Sequence, residues 1–510
     1  MHDADVIVLG AGHNSLVCAA YLAEAGLRVL VLEARPLVGG NTVTEELTLP
    51  GFAHDSCSSA HVLIQSNPLL ADDELGLLSR WGLRYVHTDP AVVLPQPGGD
   101  ALVVHRDLDA TVDEIARWSP DDAVAFRALV EEWTGGLAAV HGRWSSGFDL
   151  GDSPAAGAYR ELRARSATDV ITERFRHPVI RDAMLWMSMA TIQDPRRPGT
   201  GVLPSSITAG RLRFGWATPI GGSGALPAAL VRLITARGGT VRCDAEVTRV
   251  EVSGGRATAV RTADGRRFTA ARAVVAGSHL ARLPELLDGT APDDLTDAAA
   301  AWRPGLSVFA VHAALAGDLT FTARGRTLHS AAAGLGTTAG ITAQLDAFAR
   351  GETDASDPWL LVVNQTVVDP SRAPATGGGT FKILTIAPWE RADGRPWSQA
   401  KDEFADRLLD RVRSRSGGLD LLAVRAESPV DVAEHNTHNL GGSCHGGEFA
   451  RPGGEWLAGW PRYDTGVEAL FLTGSTSHPG GSVSGRPGRN AARAVLTDLE
   501  IDPATVMGAA

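Results

Sequence analysis

Two kinds of apolar run alternate at the start of the chain. Residues 6–9 (Val-Ile-Val-Leu) and 29–32 (Val-Leu-Val-Leu) are short and continuous, the pattern of strands buried on both faces. Between them, residues 16–25 have helical spacing. From residue 67 the character changes. Residues 69–82 read as an amphipathic helix, and residues 92–105 as two short strands around Pro97-Gly98-Gly99. Ser119-Pro120 is a helix start, Ser as N-cap and Pro in the first turn, and predicts a helix to about Trp133. Further helices are predicted over 156–165, 167–175 and 178–190. A helix over 227–237 and a strand over 240–243 follow. Strands over 246–252, 257–262 and 268–276 are joined by Gly254-Gly255 and Asp264-Gly265. Later strands are predicted at 306–315, 360–368 and 380–388. Residues 398–413 form a helix with Phe404, Leu408, Leu409 and Val412 on one stripe. A buried strand at 469–472 precedes a last helix opening at Arg489-Asn490.

The turn between the first strand and helix carries chemistry. Gly10-Ala11-Gly12-His13-Asn14-Ser15 follows Leu9 directly, and Glu33 ends the second strand. Strand, glycine turn, helix, strand and acid make the opening of a dinucleotide-binding unit. Gly10 permits the tight turn, and Gly12 lets a pyrophosphate approach the backbone. The helix N-terminus then offers unpaired N–H groups and a partial positive charge. A carboxylate at Glu33 accepts hydrogen bonds from a ribose diol and repels a 2′-phosphate, which argues against NADP. Ser15 stands where the pattern expects its third glycine. Pro219 to Leu226 holds more glycines, but no clean strand precedes it, so it is not a second fingerprint. Gly334-Leu335-Gly336 is discounted because its neighbours form no such unit.

At 510 residues the chain is too long for one core, and two or three domains are expected. A net charge of −12 disfavours nucleic acid as a partner. Cys18, Cys57, Cys243 and Cys444 form no C-x-x-C pair, which argues against a zinc site or redox dithiol and for reduced thiols in a cytoplasmic protein. No signal peptide and no transmembrane run is expected; peripheral membrane contact through an apolar patch stays open. Residues 435–447 are dense in His and Gly. Metal binding, substrate-channel contact and a plain glycine-rich loop are the three readings, and no metal is assigned.

The stretch GAGHNSLVCAAYLAEAGLRVLVLEARPLVGGNTVTEE continues beyond Glu33 through Ala34, Arg35 and the pair Gly39-Gly40 to Asn41. Here the chain resembles the phytoene desaturase-like branch, related to carotenoid desaturases and ketolases, of the FAD-dependent amine oxidase superfamily. The resemblance, not composition, selects FAD. It implies an α/β fold: a Rossmann-like FAD-binding domain in a GDI-like two-domain architecture, with an α+β substrate domain. The expected segments are 1–66, 205–290 and 455–510 for the cofactor, and 67–204 (mainly helical) and 291–454 for the substrate. It also implies that Val247 meets the adenine end of FAD and that 273–277, ending at Gly277, close the module. Gly474 then lies by the ribityl–phosphate chain and Gly480, Gly481 and Ser482 by the isoalloxazine edge, with Ser475 and Val483 also among the cofactor-binding residues. His13 and Asn14 sit in the glycine turn. His478 and His61 are the candidate catalytic residues.

The implied activity is dehydrogenation of a small or apolar organic molecule by hydride transfer to flavin N5. Oxygen, a quinone or another carrier would be the electron acceptor. The alternatives are a carotenoid desaturase or ketolase, a flavin amine oxidase with Lys382 near N5, and a non-enzymatic GDI-like binding protein. The substrate, any catalytic base and the oligomeric state are not legible in the sequence.

Overall fold

The computed structural model describes residues 2–450, 456–457 and 459–508. Among these, two seven-stranded sheets organise the chain. In the first, β1 (Ala4–Leu9) lies between β2 (Val29–Leu32) and Arg267–Ala276, parallel to both. Thr240–Arg242 extends the parallel set beside β2, and Leu470–Leu472 pairs in parallel with Arg267–Ala276. Val247–Ser253 and Arg256–Thr262 complete it as an antiparallel meander. Helix α1 (His13–Glu24), Ala225–Ala236 and Arg486–Asp498 cover one face. Ten of the twelve residues of α1 are buried, because it is enclosed by sheet on one side and helices on the other.

The second sheet runs Leu421–Glu427, Val308–Leu315, Gly379–Ile386, Leu360–Val363, Ala332–Leu335, Val92–Pro95, Ala101–Val104. It is antiparallel except where Ala332–Leu335 meets Val92–Pro95. Trp397–Arg413 packs its predicted stripe against one face. Helices including Pro178–Ser188 and Leu203–Phe214 cover the other.

Several expectations need correction. Residues 69–82 hold only a short helix, Pro68–Ala71. Asp73 and Gly76 take positive φ, and Glu74 leaves to pair with the fully buried Arg489 at 2.6 Å. Leu69, Leu70, Leu75 and Leu77 still reach one core, so apolar spacing is satisfied without a helix. The strand expected to reach 368 stops at Val363, because Gln365 turns its side chain to Ser59 and Thr218. The helix expected to end at Trp133 continues through a wide turn, Trp133–Leu137, into Ala138–Ser145. The last helix starts at Arg486, not at Arg489. Residues 205–214 lie in the helix Leu203–Phe214, which packs beside Pro178–Ser188.

Candidate functional site

Gly10, with φ of 80°, turns the chain off β1, and its N–H donates to Leu32 O at 2.7 Å. Gly12 caps α1 with no side chain bonded to the helix start. A Cβ added at Gly12 would meet nothing within 4 Å, so open space lies over this backbone. His13, Asn14 and Ser15 form the first turn and line a cavity of about 480 Å³. A buried helix start without a cap leaves donors for a ligand. The buried Asn14 Oδ1 likewise has no partner. Burial holds the His13 imidazole neutral, its pKa lowered to about 4, and its Nε2 lies 3.3 Å from Ser482 O.

Glu33 lines the cavity rim. Its carboxylate accepts from Ala11 N–H at 2.5 Å and from Arg35 N–H at 2.9 Å, which locks the acid to the glycine turn. Ala34, Gly40 and Asn41 also line the cavity. Gly39 and Arg35 sit behind it: Gly39 N–H donates to Ala11 O, and Arg35 Nη1 donates to Gly40 O. Asn41 joins distant chain segments. Its Nδ2 donates to Asn439 Oδ1 and Cys444 O, and its Oδ1 accepts from Asn436 and Asn439.

Ser15 explains the missing third glycine. A Cβ added at Gly277 would lie 2.0 Å from Ser15 Oγ and 2.5 Å from Leu9 O. The close approach of helix and strand is kept, with the glycine on the opposite partner. Val247, Gly277, Gly474, Ser475, Ser482 and Val483 all line the same cavity. Ser475 Oγ is 2.7 Å from His438 Nε2. Gly480 and Gly481 do not line it. Gly481 backs onto His445 O, where a Cβ would stand at 2.0 Å, and borders a neighbouring cavity of about 220 Å³.

Both candidate catalytic histidines lie outside the lining. His61 is fully buried, its ring nitrogens held by Tyr85 Oη at 2.9 Å and Ser223 Oγ at 3.1 Å. His478 Nε2 lies 2.6 Å from Trp144 O, with its ring edge-on to that indole. Their polar atoms are spent on the scaffold, and burial lowers both pKa values.

The other end of the cavity reaches the second sheet. Leu361, Val363, Lys382 and Leu384 from its strands line the cavity, as do Ile192, Arg211 and Trp216. Lys382 is not a free amine. Its ammonium donates to the carbonyls of Asp55 at 3.0 Å, Ser56 at 3.2 Å and Cys57. Asp55 in turn forms a buried pair with Arg372 at 2.7 Å. Removing one partner from such a pair costs about 3–5 kcal/mol. Lys382 and Arg372 therefore fix the loop that brings Cys57, Ser58 and Ser59 to the cavity.

Of the His- and Gly-rich stretch, Asn436, Thr437, His438, Cys444 and His445 line the cavity. His435 turns away and pairs with Glu45 at 2.9 Å. Among the described residues no group of three or more His, Cys, Asp or Glu is arranged to hold a metal. No helix among them is long and apolar enough to cross a membrane.

Sequence reasoning missed Arg211 and Trp216. A signal existed: Pro204, Ile207, Thr208, Arg211 and Leu212 share one helical stripe, and a cation on an apolar stripe is unusual.

The uncapped α1, the open space at Gly12, the unpartnered Asn14 and the rim carboxylate together fit a dinucleotide cofactor with an anionic centre and a diol. Comparison with known proteins agrees. The chain matches the flavin containing amine oxidoreductase family over residues 16–496. The mouse protein named pyridine nucleotide-disulfide oxidoreductase domain-containing protein 2 is 26% identical over 564 aligned residues, 98% of this chain and 94% of that protein. A phytoene desaturase (lycopene-forming) of a Paracoccus species is 26% identical over 519, covering 97% of each. A solved putrescine oxidase variant superposes with a TM-score of 0.62 at 16% identity, over 97% of this chain and 99% of that one, and so shares the fold. The chain belongs to the flavin containing amine oxidoreductase family, on its phytoene desaturase-like branch, and is an FAD-dependent oxidoreductase.

Proposed function

We propose that the protein dehydrogenates a small or apolar organic molecule, converting a saturated bond to an unsaturated one. The observation that carries this reading is the single cavity running from the glycine turns to an apolar wall on the second sheet. Gly10, Gly12, His13, Asn14, Ser15, Glu33, Ala34, Gly40 and Asn41 would hold FAD together with Val247, Gly277, Gly474, Ser475, Ser482 and Val483. Bound FAD supplies a ring that accepts a hydride. The chain's own contribution is to hold the substrate against that ring and exclude water. Arg35, Gly39, Gly480 and Gly481 would act from behind, by shaping the turns. His61 and His478 are read as positioning residues, since hydrogen bonds to the scaffold occupy them. Lys382 is read as a loop clamp, which weakens the amine oxidase alternative; the named desaturase among the relatives supports carbon–carbon dehydrogenation.

The cofactor domain is proposed to comprise 1–66, a middle segment opening near residue 217 and ending near 290, and 455–510. The remainder, Leu203–Phe214 included, would form the substrate domain.

Anaerobic mixing of the flavin-loaded protein with polyenes, amines and saturated cyclic acids tests the reading. Bleaching of the flavin by a molecule with a desaturable C–C bond, and not by amines, is the expected result. Bleaching by primary amines alone would overturn it.

A further inference from the structure

The apolar end of the cavity contains a charge with no counterion. Arg211 projects from Leu203–Phe214, is 5% exposed and lines the cavity. Its Nε and Nη1 are buried without a hydrogen-bond partner. Its guanidinium lies 4.2 Å from the centre of the Trp216 ring. Trp216 is 1% exposed, lines the same cavity, and its indole N–H is also unpartnered.

Arginine buried in a protein is ordinarily matched by a carboxylate, as Arg372 is by Asp55 and Arg489 by Glu74. Among the described residues Arg211 has no such match. Burial alone acts on it, lowering its pKa to about 9, so it stays charged at neutral pH. Stacking on an indole offsets part of the lost hydration but supplies no hydrogen-bond acceptor. Two contacting side chains in one cavity's lining, each with buried donors that no acceptor meets, form half of a hydrogen-bonded site. A guanidinium matches a planar oxyanion in shape, and one charge neutralises one. Lys382 lies in the same wall, but its ammonium is taken up by the carbonyls of Asp55, Ser56 and Cys57, so a dianion here would leave surplus charge among Ile192, Leu361, Val363 and Leu384.

We propose that Arg211 and Trp216 bind the carboxylate of the substrate, which is therefore an organic acid with an apolar body rather than a pure hydrocarbon. This rests on the dehydrogenase reading, whose substrate end it specifies. The acid group would anchor the molecule at the Arg211 end and direct its apolar body toward the glycine turns.

The test is calorimetric titration of the flavin-loaded protein with cyclohexanecarboxylate, cyclohexanecarboxamide and inorganic phosphate, with flavin content and Tm recorded for each variant. Expected are binding of the carboxylate in preference to the amide and to phosphate, and a loss of about tenfold or more in Arg211→Met. Arg211→Lys should retain part of the affinity, and Trp216→Phe should lose less than Arg211→Met. Flavin content should be unchanged, and Arg211→Met should raise Tm, because it removes an uncompensated buried charge. Equal binding of acid and amide, preference for phosphate, or unchanged carboxylate affinity in Arg211→Met would each overturn the assignment. So would a fall in Tm of Arg211→Met with no change in carboxylate binding. Since calorimetry needs no turnover, a failure of the dehydrogenase reading appears separately, as carboxylate binding without flavin bleaching by any saturated acid.

Discussion

At one end of the cavity, the Glu33 carboxylate is held by backbone N–H groups of Ala11 and Arg35, the farther 22 positions away. At the other end, Arg211 and Trp216 come from a helix and the turn after it, and face strands some 150 positions later in sequence. The first end satisfies its own acid and leaves open the uncapped backbone donors of α1, Asn14 Oδ1 and Ser278 Oγ, all of them uncharged. The second end leaves a full charge open. In the proposed reading, a cofactor that never changes is met by backbone turns and one carboxylate whose own hydrogen bonds are already made. A substrate is met by side chains gathered from far apart, one of them held at an electrostatic cost that only a ligand relieves.

The sharpest way to break this comparison is to damage the closed frame. Gly277→Ala drives a methyl into Ser15 and the Leu9 carbonyl. A loss of about 3 kcal/mol or more is expected, read as a large fall in Tm and in recovered flavin. Next is Glu33→Ala, which strips two backbone N–H groups of their acceptor. Flavin retention through gel filtration should weaken about tenfold, while carboxylate binding at the Arg211 end persists. Unchanged flavin occupancy would remove Glu33 from the cofactor frame.

A smaller effect tests the joint between the two regions. Glu427 and Glu45 raise His435 to about 9, and His435 and His312 hold the Glu427 carboxyl low against the opposing effect of burial. A histidine whose folded pKa lies above its unfolded value of 6.5 stabilises fully below pH 6.5 and ceases to do so as pH rises through 9. Between pH 6.5 and 9.5 the wild type should lose on the order of 1–2 °C of Tm that Glu45→Gln loses to a lesser degree. The smallest effect is expected for His478→Ala. The bond to Trp144 O and the edge-on contact with its indole are lost, on the order of 1–2 kcal/mol together, and flavin reduction by substrate should keep its rate.

Legibility in the sequence followed the same division. The glycine turn, Glu33 and the meander at 247–276 were readable because short-range spacing dictates them. The 398–413 helix was readable from its stripe. Residues 69–82 misled because Leu69, Leu70, Leu75 and Leu77 are buried by a loop that tertiary contacts hold, and spacing alone does not separate that from a helix. His478 was a candidate from its glycine-rich turn and His61 from the polar stretch after the Gly39-Gly40 pair; that their rings bond Trp144 and Ser223, far off in sequence, could not be read locally. Arg211 gave only a local oddity, and its meaning depends on the absence of a carboxylate that no local pattern reports.

The contact between Ser15 and Gly277 is asymmetric. Leu9 O stands 2.5 Å from where a Cβ at 277 would be, so that position must be glycine whatever occupies position 15. The requirement for a small residue at this crossing therefore falls on position 277 rather than on the helix. Ser15→Gly would not make Gly277→Ala tolerable, because the Leu9 carbonyl still stands in the way. The helix side of the crossing is the permissive one, so a serine in the fingerprint is no sign that the crossing is lost.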